Sequence, residues 1–394
     1  MKLFRKFIFW CHLLVGMVAG VIIFTMSVTG VLLTYEKQIV AWADLRASRI
    51  ALPSPGTSRL PVQTLLDEAR KARPGLYINS VTVRADVSEP AAFGIAGGSF
   101  LFVNPYTAAV IGEGNRSVRG FFLGATELHR WLGAEGDNRV VARAITGACN
   151  LGFLFLVLSG FYMWWPKKWT KEQFRNVLWF KRRLSGKARD FNWHNVIGFW
   201  SFVPLFLIVL SAVVISYSWA GNLVYRLVGE TPPAPRAPQA QTNPAIQRGD
   251  REGEIAFEGL DRLWLRAEQQ MPGWKSISLR LPTSADTPLI FTIDQGNGGQ
   301  PQKRATLTLK RTTGETIRWE PFSSYTAGRK LRTILRFAHT GEVAGIFGQT
   351  IAGLVSAGGA VLVFTGLALA LRRIRGWIRE ITEQTKITEQ TENL

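Results

Sequence analysis

Cysteine and histidine are both scarce in this chain of 394 residues, with two of the first and four of the second. Two cysteines cannot build a disulfide framework, and Cys11 and Cys149 fall in apolar runs near opposite faces of the topology derived below, so no bridge between them is expected. Apart from Cys11 beside His12, whose side chains would point in different directions on a helix, no H-x-x-H, histidine–carboxylate or Cys-His cluster is apparent, which argues against a metal site assembled from three or four protein ligands. Acidic residues are also few, 28 against 47 lysines and arginines. No nucleic-acid recognition motif accompanies that basic excess, so nucleic acid is excluded as a partner.

What is abundant is apolar surface: 47% of residues are hydrophobic and 14 are tryptophan. A span needs ~20 apolar residues, and four stretches qualify: Phe7 to Tyr35, Ala144 to Trp165, Trp193 to Trp219 and Ile346 to Leu371. The basic clusters "KLFRKF", "PKKWTKEQFR", "FKRRLSGKAR" and "LRRIRGWIR" precede the first, separate the second from the third and follow the fourth. Lysine and arginine favour the cytoplasmic side, so both termini are expected inside and the two long loops outside. The first run is longer than a signal-peptide core and ends in "GVLLTYEKQ" without a small-residue cleavage site, so it is expected to be retained. Trp10, Trp164, Trp165 and Trp219, at span ends, read as an interfacial belt.

The two loops repeat one plan. The first has a helical "VQTLLDEARKARPG" followed by "INSVTVRA", "AAFGIA" and "SFLFVNPYTAAVIGE"; the second has "LDRLWLRAEQQMPG" followed by "SISLRLP", "PLIFTID" and "ATLTLKRTTGETIRWEPF". The later segments alternate apolar and polar residues as half-buried strands do. Pro74-Gly75 and Pro272-Gly273 stop the two helices, and "NPYT" and "RTTG" predict closing hairpins. The spans repeat as well. His12 in "FWCHLLVG" matches His194 in "FNWHNVIG", and His129 in "ELHRWLG" matches His339 in "RFAHTGE"; Gly147 and Gly160 match Gly353 and Gly366. The fold class expected is therefore an α+β membrane protein with four transmembrane helices in two parallel repeats, each carrying an external α+β domain. "TPPAPRAPQAQTNP" reads as an extended linker and "EITEQTKITEQTENL" as a disordered polar tail.

All four histidines stand at span ends, His12 and His194 on the inner side, His129 and His339 on the outer. Neutral imidazole is a good axial ligand to haem iron, and two from facing segments fill both axial positions. The four thus predict two bis-histidine sites. Zinc, copper or nickel is the rival occupant. No C-x-x-C-H is present, which excludes the usual covalent haem attachment. Arg5, Lys6, Arg130 and Arg336 are candidate propionate partners, with orientation signalling the likelier role of Arg5 and Lys6. Cys11 reads as a packing residue.

On "WCHLLVGMVAGVIIFTMSVTGVLLTY", "LHRWLG" followed by "LVLSGFYMWWP", "NWHNVIGFWSF", and "AHTGEVAG" followed by "LVFTGLAL", the chain resembles the PepSY-associated transmembrane family of bacterial inner-membrane proteins, some of which are haem-containing reductases of iron-siderophore complexes. The resemblance implies two PepSY-like periplasmic domains and two b-type haems, with ligands at His12, His129, His194 and His339. It further implies a ferric-siderophore or other ferric chelate as substrate and electrons from an unidentified donor on the cytoplasmic side. Thr29-Gly30 becomes Ser211-Ala212 in the second repeat, a departure expected to touch helix packing and not ligands. The segments expected are a first membrane helix over 1–36, PepSY-like domains over 37–126 and 220–335 (the second with its linker), and outer histidine segments with their helices over 127–165 and 336–371. A basic loop over 166–192, a third membrane helix over 193–219 and a tail over 372–394 complete them. The competing reading is a membrane-anchored PepSY sensor or regulator that binds a peptide or protein without redox activity.

Overall fold

The apolar runs become long helices because a backbone withdrawn from water must pair its own N–H and C=O groups. The structure, a computed structural model, describes residues 2–51, 54, 56–95, 98–165, 170–234, 259–282, 284 and 286–392. The first half runs α1 (Lys2–Leu33), α2 (Glu36–Ser48), α3 (Val62–Ala72), β1 (Ile78–Arg84), β2 (Ala91–Ile95), β3 (Phe100–Val103), β4 (Val110–Glu113), α4 (Arg116–Trp131) and α5 (Asn138–Trp164). After α6 (Lys171–Leu178), the second half follows the same order: α7 (Gly186–Ser216), α8 (Ser218–Leu227), α9 (Leu260–Gln270), β5 (Ser276–Arg280), β6 (Leu289–Asp294), β7 (Arg304–Leu309), β8 (Thr316–Pro321), α10 (Ala327–His339) and α11 (Gly345–Glu392). The chain forms two compact units, Met1–Thr34 with Leu123–Gly221 and Ala338–Leu394, and Tyr35–Phe122 with Asn222–Phe337.

In the first unit α1 and α7 each pack on both α5 and α11. Gly16 lies against Leu156, Gly20 against Leu367, Gly30 against Ser356, Gly198 against Leu362 and Gly358 against Ser201, and each series runs oppositely along its two helices. Asn150 donates to the Val209 carbonyl at 3.2 Å while Phe161 stacks on Phe202 with ring centres 4.0 Å apart, so α5 and α7 are antiparallel too. α1 and α7 therefore point one way, α5 and α11 the other. Four helices here are long and apolar enough to cross a membrane, Leu3–Leu33, Asn138–Trp164, Gly186–Ser216 and Glu342–Gln384. Val18, Val21, Val203, Leu354 and Phe364 are exposed on them, as lipid-facing side chains are. Trp10, Trp165 and Trp219 of the expected belt are also exposed, whereas Trp164 packs on Phe199 with ring centres 4.7 Å apart.

The polar C-terminal segment differs from expectation: α11 continues through Glu392, because Glu, Gln, Lys, Arg and Ile let an established helix propagate. The proline-rich linker lies outside the described residues from residue 235 onward.

The second unit departs further from the sequence reading. Two separate α+β domains are expected there; the eight strands instead form one antiparallel sheet, ordered β4-β3-β2-β1-β5-β6-β7-β8. β1 pairs with β5, and Val81 faces Leu279 in that register, Thr82 faces Ser278 and Ser80 faces Arg280. Val81 and Leu279 are equivalent positions of the two halves, so the join is self-complementary, like an isologous interface. Both helices pack on one face of the sheet, α3 through Val62, Leu65, Leu66 and Ala69 and α9 through Leu260, Leu263, Trp264 and Ala267, the same helical spacing twice. They share one core with Val81, Phe93, Leu101, Ile277, Leu279, Phe291 and Leu307. Asp261 of α9 also accepts from the Gln63 backbone N–H of α3 at 3.0 Å, capping the other half's helix. A four-stranded half alone would leave the β1 edge unpaired; joining supplies its partner. Gly75 and Gly273, left-handed at φ 79° and 75°, turn the chain out of α3 and α9 as the Pro-Gly pairs predict. The two expected hairpins are present as β3–β4 and β7–β8.

Phe291 is fully buried at this shared core, so Phe291→Ala should cost about 3–5 kcal/mol. Chemical unfolding of the detergent-solubilised protein, followed by tryptophan fluorescence, reads this loss directly.

Candidate bis-histidine sites

Each histidine reaches the first unit from a different helix: His12 from α1, His129 from α4, His194 from α7 and His339 from the last position of α10. The structure brings His129 and His339 together, with their ring centres 6.3 Å apart and their planes inclined by 57°. His12 and His194 are near enough to act on each other electrostatically. All four imidazoles are half-buried.

The partners of the rings are equally regular. His12 Nδ1 lies 2.8 Å from Ser159 Oγ, His194 Nδ1 2.9 Å from Thr365 Oγ1, and His129 Nδ1 2.8 Å from Thr29 Oγ1. His339 Nδ1 lies 3.0 Å from the Ile208 carbonyl and 3.4 Å from Ser211 Oγ. A carbonyl only accepts, so Nδ1 of His339 carries the hydrogen, and its neutral tautomer has the lone pair on Nε2. Thr29 and Ser211, the pair expected to concern packing alone, thus touch histidines. The sequence does carry a signal for them, a hydroxyl residue followed by a small one in each span: Thr29-Gly30, Ser159-Gly160, Ser211-Ala212 and Thr365-Gly366.

Burial first, then the adjacent His339 and Arg130, push His129 down to about 4 from its ordinary value near 6.5. Its imidazole is therefore neutral at physiological pH, the form that binds metals. Two imidazoles coordinating one metal at roughly 2 Å each have their ring centres roughly 6 Å apart, which the His129–His339 spacing satisfies. Among the described residues no group of three or more His, Cys, Asp or Glu side chains could hold a metal ion. The donor set on offer is a pair of imidazoles, which suits a macrocyclic iron that brings its own equatorial nitrogens.

The arginines nominated as propionate partners have contacts of their own. Arg5 donates to the Met163 carbonyl near the end of α5, Arg130 lies 4.6 Å over the Trp131 ring, and Arg336 lies 5.8 Å from the Phe337 ring centre. Lys6 is exposed, and Cys11 and Cys149 are free and half-buried. A further ion pair stands one helical turn before His194: Asp190 is buried and meets Arg189 at 2.9 Å and Arg372 of α11 at 2.7 Å. It fastens the start of α7 to α11.

The family described as the PepSY-associated TM region matches residues 9–373. The chain belongs to this family. No curated protein matches it significantly. The stretch that aligns with the PepSY-associated TM family contains all four histidines and all four hydroxyl residues beside them.

The outer pair also depends on the corner after α10. Gly341 is left-handed at φ 72°, and a Cβ there would lie 2.2 Å from the Gly348 carbonyl oxygen. Gly341→Ala should therefore cost more than about 2 kcal/mol, since the left-handed conformation alone costs 1–2. At Gly160 an added Cβ meets nothing nearer than 3.5 Å, so Gly160→Ala should leave stability almost unchanged. Thermal unfolding of both variants in the same detergent checks the contrast.

Proposed function

We propose that this protein carries electrons across the bacterial inner membrane and reduces ferric iron, held by a siderophore or another chelator, on the periplasmic side. His12 and His194 would hold one b-type haem and His129 and His339 a second. The observation that carries this reading is the paired geometry: His129 and His339 lie 6.3 Å apart, and each of the four rings has Nδ1 turned to an acceptor on a neighbouring helix. Bound at such pairs, haem supplies a one-electron ferric/ferrous couple.

The helices set where those pairs stand. Seventeen residues separate His12 from Thr29 on α1 and His194 from Ser211 on α7, roughly 25 Å of helix. Two sites so spaced divide a hydrocarbon core of ~30 Å into shorter hops. The two halves act as parallel repeats, so equivalent histidines share a face. The basic clusters beside the spans put His12 and His194 on the cytoplasmic side, where the unidentified donor delivers electrons, and the sheet unit in the periplasm. Reduction frees the iron because a ferrous ion is less charged and softer, and hard oxygen chelators hold it less strongly.

Purified, haem-supplied protein should bind two haems and give a low-spin b-type signal in dithionite-reduced minus oxidised spectra. His129→Ala and His339→Ala should each remove the same haem, and His12→Ala and His194→Ala the other. A folded protein with no such signal would overturn the electron-transfer reading in favour of the PepSY sensor or regulator, and loss of one and the same haem in His12→Ala and His339→Ala would refute the pairing. In proteoliposomes, a ferric chelate should be reduced only when electrons enter from the side of the basic clusters.

A further inference from the structure

Serine and threonine in membrane helices ordinarily bond back to a carbonyl three or four residues earlier. All four residues beside the histidines do so: Ser159 Oγ donates to the Phe155 carbonyl at 2.6 Å, Thr365 Oγ1 to Val361 at 2.8 Å, Thr29 Oγ1 to Thr25 at 2.7 Å and Ser211 Oγ to Ile208 at 2.7 Å. The habit of helices does not explain why each of the four is also 2.8–3.4 Å from a histidine Nδ1. A hydroxyl whose hydrogen is already committed to a carbonyl can only accept, so the imidazole must donate from Nδ1. At His339, where the Ser211 contact is the longest, the Ile208 carbonyl takes the same hydrogen.

The residue after each hydroxyl clears the ring's edge. A Cβ added at Gly366 would lie 3.3 Å from His194 Cε1, at Gly160 3.5 Å from His12 Cε1, and at Gly30 3.8 Å from His129 Cε1. Only the fourth position, Ala212, has a side chain, and it follows the hydroxyl with the loosest contact.

We propose that Thr29, Ser159, Ser211 and Thr365 are positioning residues that hold the four histidines in the Nδ1–H tautomer with Nε2 as the metal-binding nitrogen, and strengthen Nε2 as a donor. This rests on the haem reading above. An imidazole that donates from Nδ1 gains electron density and favours ferric over ferrous iron. Loss of the acceptor weakens the ligand, by 10–100-fold in affinity for comparable outer-shell partners, and raises the reduction potential.

Thr365→Val keeps the shape of the side chain and deletes the acceptor. In the full-length protein, haem titration of the apoprotein should show the haem held by His12 and His194 bound about 10–100-fold more weakly. Potentiometric titration should show its midpoint raised and the other haem's midpoint unchanged, and Thr365→Ser should restore both. Should Thr365→Val fail to fold, Ser159→Ala reports on the same haem through His12. Wild-type affinity and potential in a folded Thr365→Val or Ser159→Ala protein would overturn the positioning role while leaving the haem reading intact. A wild-type chain that binds no haem would overturn both.

Discussion

A neutral imidazole held among apolar helices has one nitrogen that donates and one that accepts, and each needs a partner. The bundle meets the first need with groups it already holds. Ser159, Thr365, Thr29 and the Ile208 carbonyl take the Nδ1 hydrogens at 2.8–3.0 Å. The close helix contacts at Gly30, Gly160 and Gly366 follow, since each glycine is the neighbour of a hydroxyl that must come within reach of a ring. Helix packing and ring orientation are therefore one constraint. Side chains much larger than alanine at Gly160 or Gly366 would run into the histidine edge, which stands 3.5 Å and 3.3 Å from an added Cβ.

The same logic orders the bundle. Each of α1 and α7 carries a histidine near one end and a hydroxyl near the other, and receives the ring of α4 or α10 at that hydroxyl. Antiparallel neighbours make this possible, because the end of α1 that bears His12 then meets the end of α5 that bears Ser159. Asp190, buried between Arg189 and Arg372, ties α7 to α11 one turn from His194. Its carboxylate is paired on both sides, as a buried charge must be.

Much of this was legible in the sequence. The four spans stand out by length and hydropathy, and α3, α9 and the strands by their periodicity, because each pattern is local. The four histidines were legible because they are rare and recur at matching places. Their hydroxyl partners were harder to see: serine and threonine are common in membrane helices, and the small residue that follows Thr29 but not Thr25 gains its meaning only once His129 is seen beside Thr29. The single sheet was hidden for a related reason. Val81 and Leu279 look like ordinary inward strand residues, and only their register across β1 and β5 shows that the strands of the two halves form one sheet. The helical end of α11 was missed because its composition is polar enough to read as solvated chain.

The join between β1 and β5 and the approach of His129 to His339 each bring a residue set from one half of the sequence against its counterpart from the other. Residues 1–165 alone would contain one member of the His12–His194 pair, one of the His129–His339 pair, and a sheet edge with no partner. The second half has the complementary deficiencies. Neither half can finish a site by itself, yet two identical copies of either, related by a two-fold rotation, would lack nothing in kind: every donor, acceptor and strand edge would find its counterpart. A single covalent chain differs from such a pair of copies in one respect: Thr29 and Ser211, or Gly30 and Ala212, are free to differ.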